Sequence, residues 1–127
     1  MPIDFTILEK SKKVRFTRNN LWVHFPPEIH SFFKEHKSEF SNYATILNDL
    51  NDWDDYWLSE DDMRQLLYFL VEIKASFLYD HPNYYKRFSQ LKSYGIQKNE
   101  FDKFIEDFIV LLRIALDDGK LVLAVGE

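Results

Sequence analysis

Apolar side chains recur along this chain first at every second position and then at every third or fourth. Ile3, Phe5 and Ile7 alternate with Asp4 and Thr6; Val14 and Phe16 alternate with Arg15 and Thr17; Leu21, Val23 and Phe25 alternate with Trp22 and His24. Period two marks strands with one buried face. Lys10-Ser11-Lys12-Lys13 and Arg18-Asn19-Asn20 supply turns, the asparagines tolerating positive φ. The pattern predicts a three-stranded antiparallel meander within residues 3–25.

Helical spacing begins at Pro26-Pro27, where the missing N–H suits a first turn. Ile29, Phe32, Phe33, His36 and Phe40 form one stripe. Ser41 is the expected cap of a second helix carrying Tyr43, Ile46, Leu47 and Leu50. Extending that helix to Trp57 would carry Asp54 into the core, an uncompensated cost. It is therefore ended near Asp52, and 53–59 is read as an irregular connection. Ser59-x-x-Asp62 opens a helix over 60–79 with Met63, Leu66, Leu67, Leu70, Ile73 and Phe77 inward. Pro82 opens a shorter one with Tyr85, Phe88 and Leu91 inward, closed by Gly95. Asn99 caps the last, which is apolar almost all round between Phe108 and Leu116 and is expected to be the most buried, ending at Gly119. Leu121–Val125 reads as a strand buried on both faces that could join the N-terminal sheet.

The expected architecture is α+β and predominantly helical, with about five helices, a small N-terminal antiparallel meander and a C-terminal strand. One domain over 1–127 is expected: β-rich in 3–25, helical in 27–118, with a strand at 120–125. An all-helical domain with an irregular N-terminus is the competing expectation.

Composition narrows the function classes. Twelve Phe, seven Tyr and three Trp against three Gly and four Pro exclude a disordered or fibrous chain. With no cysteine, thiol catalysis, disulfides and cysteine-ligated metals are excluded. No apolar run approaches the roughly 20 residues of a membrane helix. The start MPIDFTILEKSKK lacks the features of a signal peptide, so a cytoplasmic protein is expected.

Charge is unevenly placed. Residues 1–37 carry four acids and seven bases; residues 38–63 carry eight acids and no base; residues 64–127 carry nine of each. Such polarity bears on partners and association rates.

Candidate chemistry is sparse. His30 and His36, six apart, would sit about 120° apart around a helix, a poor joint ligand set; a strand histidine, two helix histidines and His81 as a cap before Pro82 is the plainer reading. Asp49 to Glu60 has a calcium-loop span, but Asp54 stands where that loop needs glycine and Trp53 where a ligand belongs. The three glycines, at 95, 119 and 126, form no phosphate loop, and no G-x-S-x-G elbow occurs. Basic residues Lys10, Lys12, Lys13, Arg15 and Arg18 read more simply as solvated turns than as a phosphate-binding patch. No catalytic residue, cofactor or metal site is expected. An enzyme would need His24 or His81 brought together with carboxylates in a polar pocket.

One segment stands apart. Residues 48–62 hold seven acids and three large aromatics: Asp49, Asp52, Trp53, Asp54, Asp55, Tyr56, Trp57, Glu60, Asp61 and Asp62. Aromatic anchors ringed by negative charge fit a face for a basic partner. The plainer alternative is that Trp53 and Trp57 plug the core while the acids face water and cap the next helix.

A small, cysteine-free, acidic chain without a catalytic constellation resembles the bacterial immunity proteins that neutralise toxins of contact-dependent growth inhibition systems or nuclease bacteriocins. Within it, Asp49–Asp62 is similar to the acidic, aromatic toxin-facing surfaces of those proteins. The resemblance implies a cognate toxin as partner, a basic nuclease domain; the ten residues expected to meet it come from the composition of the segment itself. It implies no direct nucleic-acid or membrane contact, and a monomer when free. Because such proteins occupy unrelated folds, it implies nothing about architecture. The competing functions are a phage-type inhibitor or DNA mimic, a non-catalytic regulatory subunit, and a small hydrolase.

Overall fold

Strands distant in the chain meet in one antiparallel sheet. They are β1 (Ile3–Leu8), β2 (Trp22–Phe25), β3 (Tyr56–Leu58) and β4 (Leu121–Gly126), in the spatial order β2-β1-β4-β3. The computed structural model describes residues 3–8, 22–39, 46–47, 50, 55–78, 82 and 84–126. Among them are four helices: α1 (Pro27–Glu35), α2 (Glu60–Ala75), α3 (Tyr84–Ser93) and α4 (Lys98–Asp117), with a 3₁₀ turn at Lys37–Glu39. The fold is thus α+β and predominantly helical, with four helices where about five were expected. The expected helix over 41–52 lies mostly outside the described residues; within it Leu47 and Leu50 are buried.

The sheet departs from a meander. β1 pairs with β2 (Ile3↔Phe25, Phe5↔Val23) on one side and with β4 (Phe5↔Ala124, Ile7↔Val122) on the other. Both edges of β1 are occupied and β1 and β2 are direct neighbours, whereas a meander would separate them by a strand; the strand expected at 14–17 lies outside the described residues. The C-terminal strand joins the sheet as expected, and takes a central position. Its two-sided apolar character has a clear cause. Val122 and Ala124 face the helices, while Leu123 and Val125 lie on the opposite face with Trp22. The connection read as irregular at 53–59 contains β3, paired through Tyr56↔Ala124 and Leu58↔Val122. A three-residue edge strand leaves too short an alternation to stand out among acids.

Phe5 and Phe25 hold the sheet on α4. Phe5 stacks on Phe108 at 4.3 Å between ring centroids, and Phe25 on Phe104 at 5.0 Å. Phe33 of α1 meets Phe69 of α2 edge-on at 5.3 Å, and Phe77 meets Phe101 at 4.7 Å. One contiguous core cluster thereby draws on every strand and helix.

Helix boundaries and faces follow the sequence pattern with four corrections. Helix α2 is capped as predicted but stops at Ala75 rather than 79, where the Ser76 hydroxyl turns back to donate to the Ile73 carbonyl at 2.6 Å. Helix α3 starts at Tyr84, and its inward positions are Arg87 and Leu91, while Tyr85 and Phe88 are exposed. Helix α4 begins two residues earlier than expected, at Lys98, with Gln97 rather than Asn99 at the N-cap. It is not buried all round, because Val110 and Ile114 reach solvent. Gly95 and Gly119, at φ 69° and 65°, take the left-handed conformation that closes α3 and α4.

Candidate functional site

The described part of the acidic, aromatic segment is the turn from β3 into α2. Here the residues divide by role. Leu58 is fully buried and anchors β3 to the core. Ser59 caps α2: its hydroxyl accepts the Asp62 N–H at 3.1 Å, and the Asp62 carboxylate accepts the Ser59 N–H at 3.1 Å. Asp62 therefore has a structural task, as the plainer reading of the acids expected. Glu60 and Asp61 are exposed in the same first turn, where the helix dipole favours negative charge. Glu60 pairs with Arg64 at 2.8 Å, and Asp61 accepts from Gln65 at 3.5 Å. The Glu60 carboxylate raises the Arg64 pKa above its ordinary value.

Of the aromatics expected here, Tyr56 and Trp57 are described, and neither is buried in the core. Tyr56 is 46% and Trp57 40% exposed. The Tyr56 hydroxyl donates to Asp62 at 3.4 Å, and Asp55, exposed, accepts the Gly126 N–H at 3.2 Å. Asp55, Tyr56, Trp57, Glu60, Asp61 and Asp62 are thus brought to one strand-to-helix junction. Asp49, Asp52, Trp53 and Asp54 lie outside the described residues.

A second polar cluster was not anticipated from sequence. Arg87, only 4% exposed, projects from α3 toward the 3₁₀ turn after α1. Its Nη1 donates to Gln90 at 2.9 Å and lies 3.6 Å from Glu39. Glu39 also accepts from Lys86, from Gln90 at 3.0 Å and from His36 Nδ1 at 2.5 Å. These donors, Lys86 foremost, outweigh desolvation and hold the Glu39 carboxyl at about 2. A carboxylate so stabilised is a weak base at neutral pH; it clasps α3 to the end of α1. Beside it Tyr94 donates to Glu35, which pushes the phenol up to about 12. The signal available in sequence was the spacing of Tyr84, Arg87 and Leu91, which competes with the apolar triplet Tyr85, Phe88 and Leu91.

The other two described histidines, His24 and His30, take ordinary positions. Buried His30 donates to the Leu47 carbonyl at 3.0 Å, and His81 lies outside the described residues. His24 donates to Asp4 on the neighbouring strand at 2.8 Å, with a side chain 56% exposed. A cleft of about 370 Å³ between β2 and α4 places His24 near Glu100, Lys103 and Asp107. Among the described residues no group of three or more acids or histidines is arranged to hold a metal ion, and no helix is long and apolar enough to cross a membrane. Comparison with protein-family models, with curated proteins and with solved structures finds no match to this chain.

Proposed function

We propose that this chain is an immunity-type inhibitor that binds and neutralises a cognate bacterial toxin, a basic nuclease domain, through its acidic, aromatic surface. The observation that carries the reading is the exposure of Tyr56 and Trp57 beside Asp55, Glu60 and Asp61, in a segment that holds no base from residue 38 to 63. Large aromatics on a strand that leads into a capped helix serve as anchors. Carboxylates around them steer a basic partner and stand where phosphates would bind in a nuclease groove. Such anchors contribute about 2–4 kcal/mol each, and close charge pairs about 1.5–7 kcal/mol in favourable cases. In this reading the free chain is a cytoplasmic monomer without a cofactor, touches neither nucleic acid nor membrane, and performs no catalysis. An extended DNA mimic would spread its acids along a face, whereas here they concentrate in one segment.

The test is capture from nuclease-treated lysate of the source cells, with the natural chain and its Trp57→Ala variant run in parallel. The expected result is one basic protein, retained by the natural chain, released by salt and lost with the variant. Purified, that protein should be a toxic nuclease inhibited at equimolar addition of the chain. A captured partner without toxic activity would instead assign the surface to an ordinary assembly, and equal capture by the variant would remove the site.

A further inference from the structure

Tyr56 and Trp57 are consecutive in one strand, so their side chains leave opposite faces of the sheet. Both are nearly half exposed. A partner lying flat on either face would meet one of them; contact with both requires approach along the edge. Among the described strands that edge is β3, the last in the order β2-β1-β4-β3.

The ladder shows which backbone groups it presents. The Gly126 N–H is directed to the β3 side, where it meets the Asp55 carboxylate. In an antiparallel sheet the N–H and C=O of one residue point to the same side, and the side alternates along the strand. Ala124 and Val122 therefore also address β3, through their partners Tyr56 and Leu58. The N–H and C=O of Trp57 fall in the other phase, directed away from β4.

We infer that the partner docks by adding an extended, lysine- or arginine-bearing segment to the outer edge of β3. The segment pairs with the Trp57 main chain, is flanked by Tyr56 on one face and Trp57 on the other, and places its bases against Asp55, Glu60 and Asp61. Charge selects the occupant. A second copy of this chain would bring Asp55 against the same acids, and acidic residues on a short edge disfavour self-pairing, whereas a basic strand is accepted. This inference rests on the reading of the junction as a partner-binding surface, and adds how the partner is held.

The probe is an end-capped peptide of alternating lysine and valine, compared with a counterpart N-methylated at every residue, which keeps the side chains and charge but cannot donate main-chain hydrogen bonds. Each is titrated into the ¹⁵N-labelled full chain at low and high salt. The expected result is salt-sensitive binding of the first peptide, slowed exchange of the Trp57 amide, and affinity weaker by at least about tenfold for the methylated peptide. Equal affinity of the two would overturn edge addition while leaving the acidic, aromatic surface in place. Binding of the first peptide that leaves the Trp57 amide unaffected, or binding of neither, would also overturn it; the capture experiment above judges the surface independently.

Discussion

Two clusters of charge in this protein are built from the same residue types and arranged for opposite ends. At the junction of α1 and α3, one carboxylate, Glu39, gathers Lys86, Gln90 and His36, with the buried Arg87 guanidinium beside it. At the junction of β3 and α2, several carboxylates stand in solvent around two exposed aromatics, in a segment without bases. The first cluster consumes its charge internally and holds elements together. In the second, Glu60 alone among the described carboxylates meets a cation, Arg64, while Asp55, Asp61 and Asp62 accept hydrogen bonds from neutral groups. Charge density alone does not distinguish a clasp from a binding face; the supply of local counter-charge does.

That contrast can be broken at neighbouring positions. Leu58→Ala removes the buried anchor of β3 and should cost about 2–5 kcal/mol in stability, read by denaturant unfolding. Trp57→Ala, one residue away, should cost about 2–4 kcal/mol in partner affinity, with little change in unfolding free energy. If Trp57→Ala instead unfolded the chain, its ring would belong to the core and the binding face would be lost. Glu39→Gln should show the converse, about 1–3 kcal/mol in stability, because it strips counter-charge from Arg87, with partner affinity unchanged.

Acid titration sharpens the same contrast. The Glu39 carboxyl is lowered from an ordinary 4.5 to about 2 in the folded chain. A depressed carboxylate stabilises the fold above its unfolded pKa, and that contribution is lost as pH falls from about 4.5 through about 2. Unfolding free energy should therefore fall over this window in the natural chain and less steeply in Glu39→Gln; parallel curves would remove the clasp. The smallest effect is expected at the cap. Asp62→Ala should cost about 1 kcal/mol or less in stability through loss of the reciprocal Ser59 bonds, and thermal denaturation would detect it.

Much of the scaffold was legible in the residues. The Ser59-x-x-Asp62 box, the inward stripe from Met63 to Ile73 and the buried strand at the C-terminus all follow from strong local signals, and all are present. What was missed lay where local and long-range preferences compete. The spacing of Tyr85, Phe88 and Leu91 described a plausible apolar face for α3, yet Arg87 turns inward because the Glu39 carboxylate waits for it across the fold. Of the expected partner-facing residues, Asp55, Tyr56, Trp57, Glu60, Asp61 and Asp62 meet at one junction, and Asp62 proves to be a cap as well.

By itself the sequence determined the period of the long elements, the Ser59 cap, the closing glycines Gly95 and Gly119 and the concentration of acid and aromatic residues between 48 and 62, since these depend on contacts within a few positions. Only the tertiary structure decided that β4 lies between β1 and β3, that β1 and β2 are neighbours, and that Tyr56 and Trp57 stand on a sheet edge. Strand order is set by pairing between residues far apart in the chain, and whether an aromatic is core or surface depends on which partners that pairing brings over it.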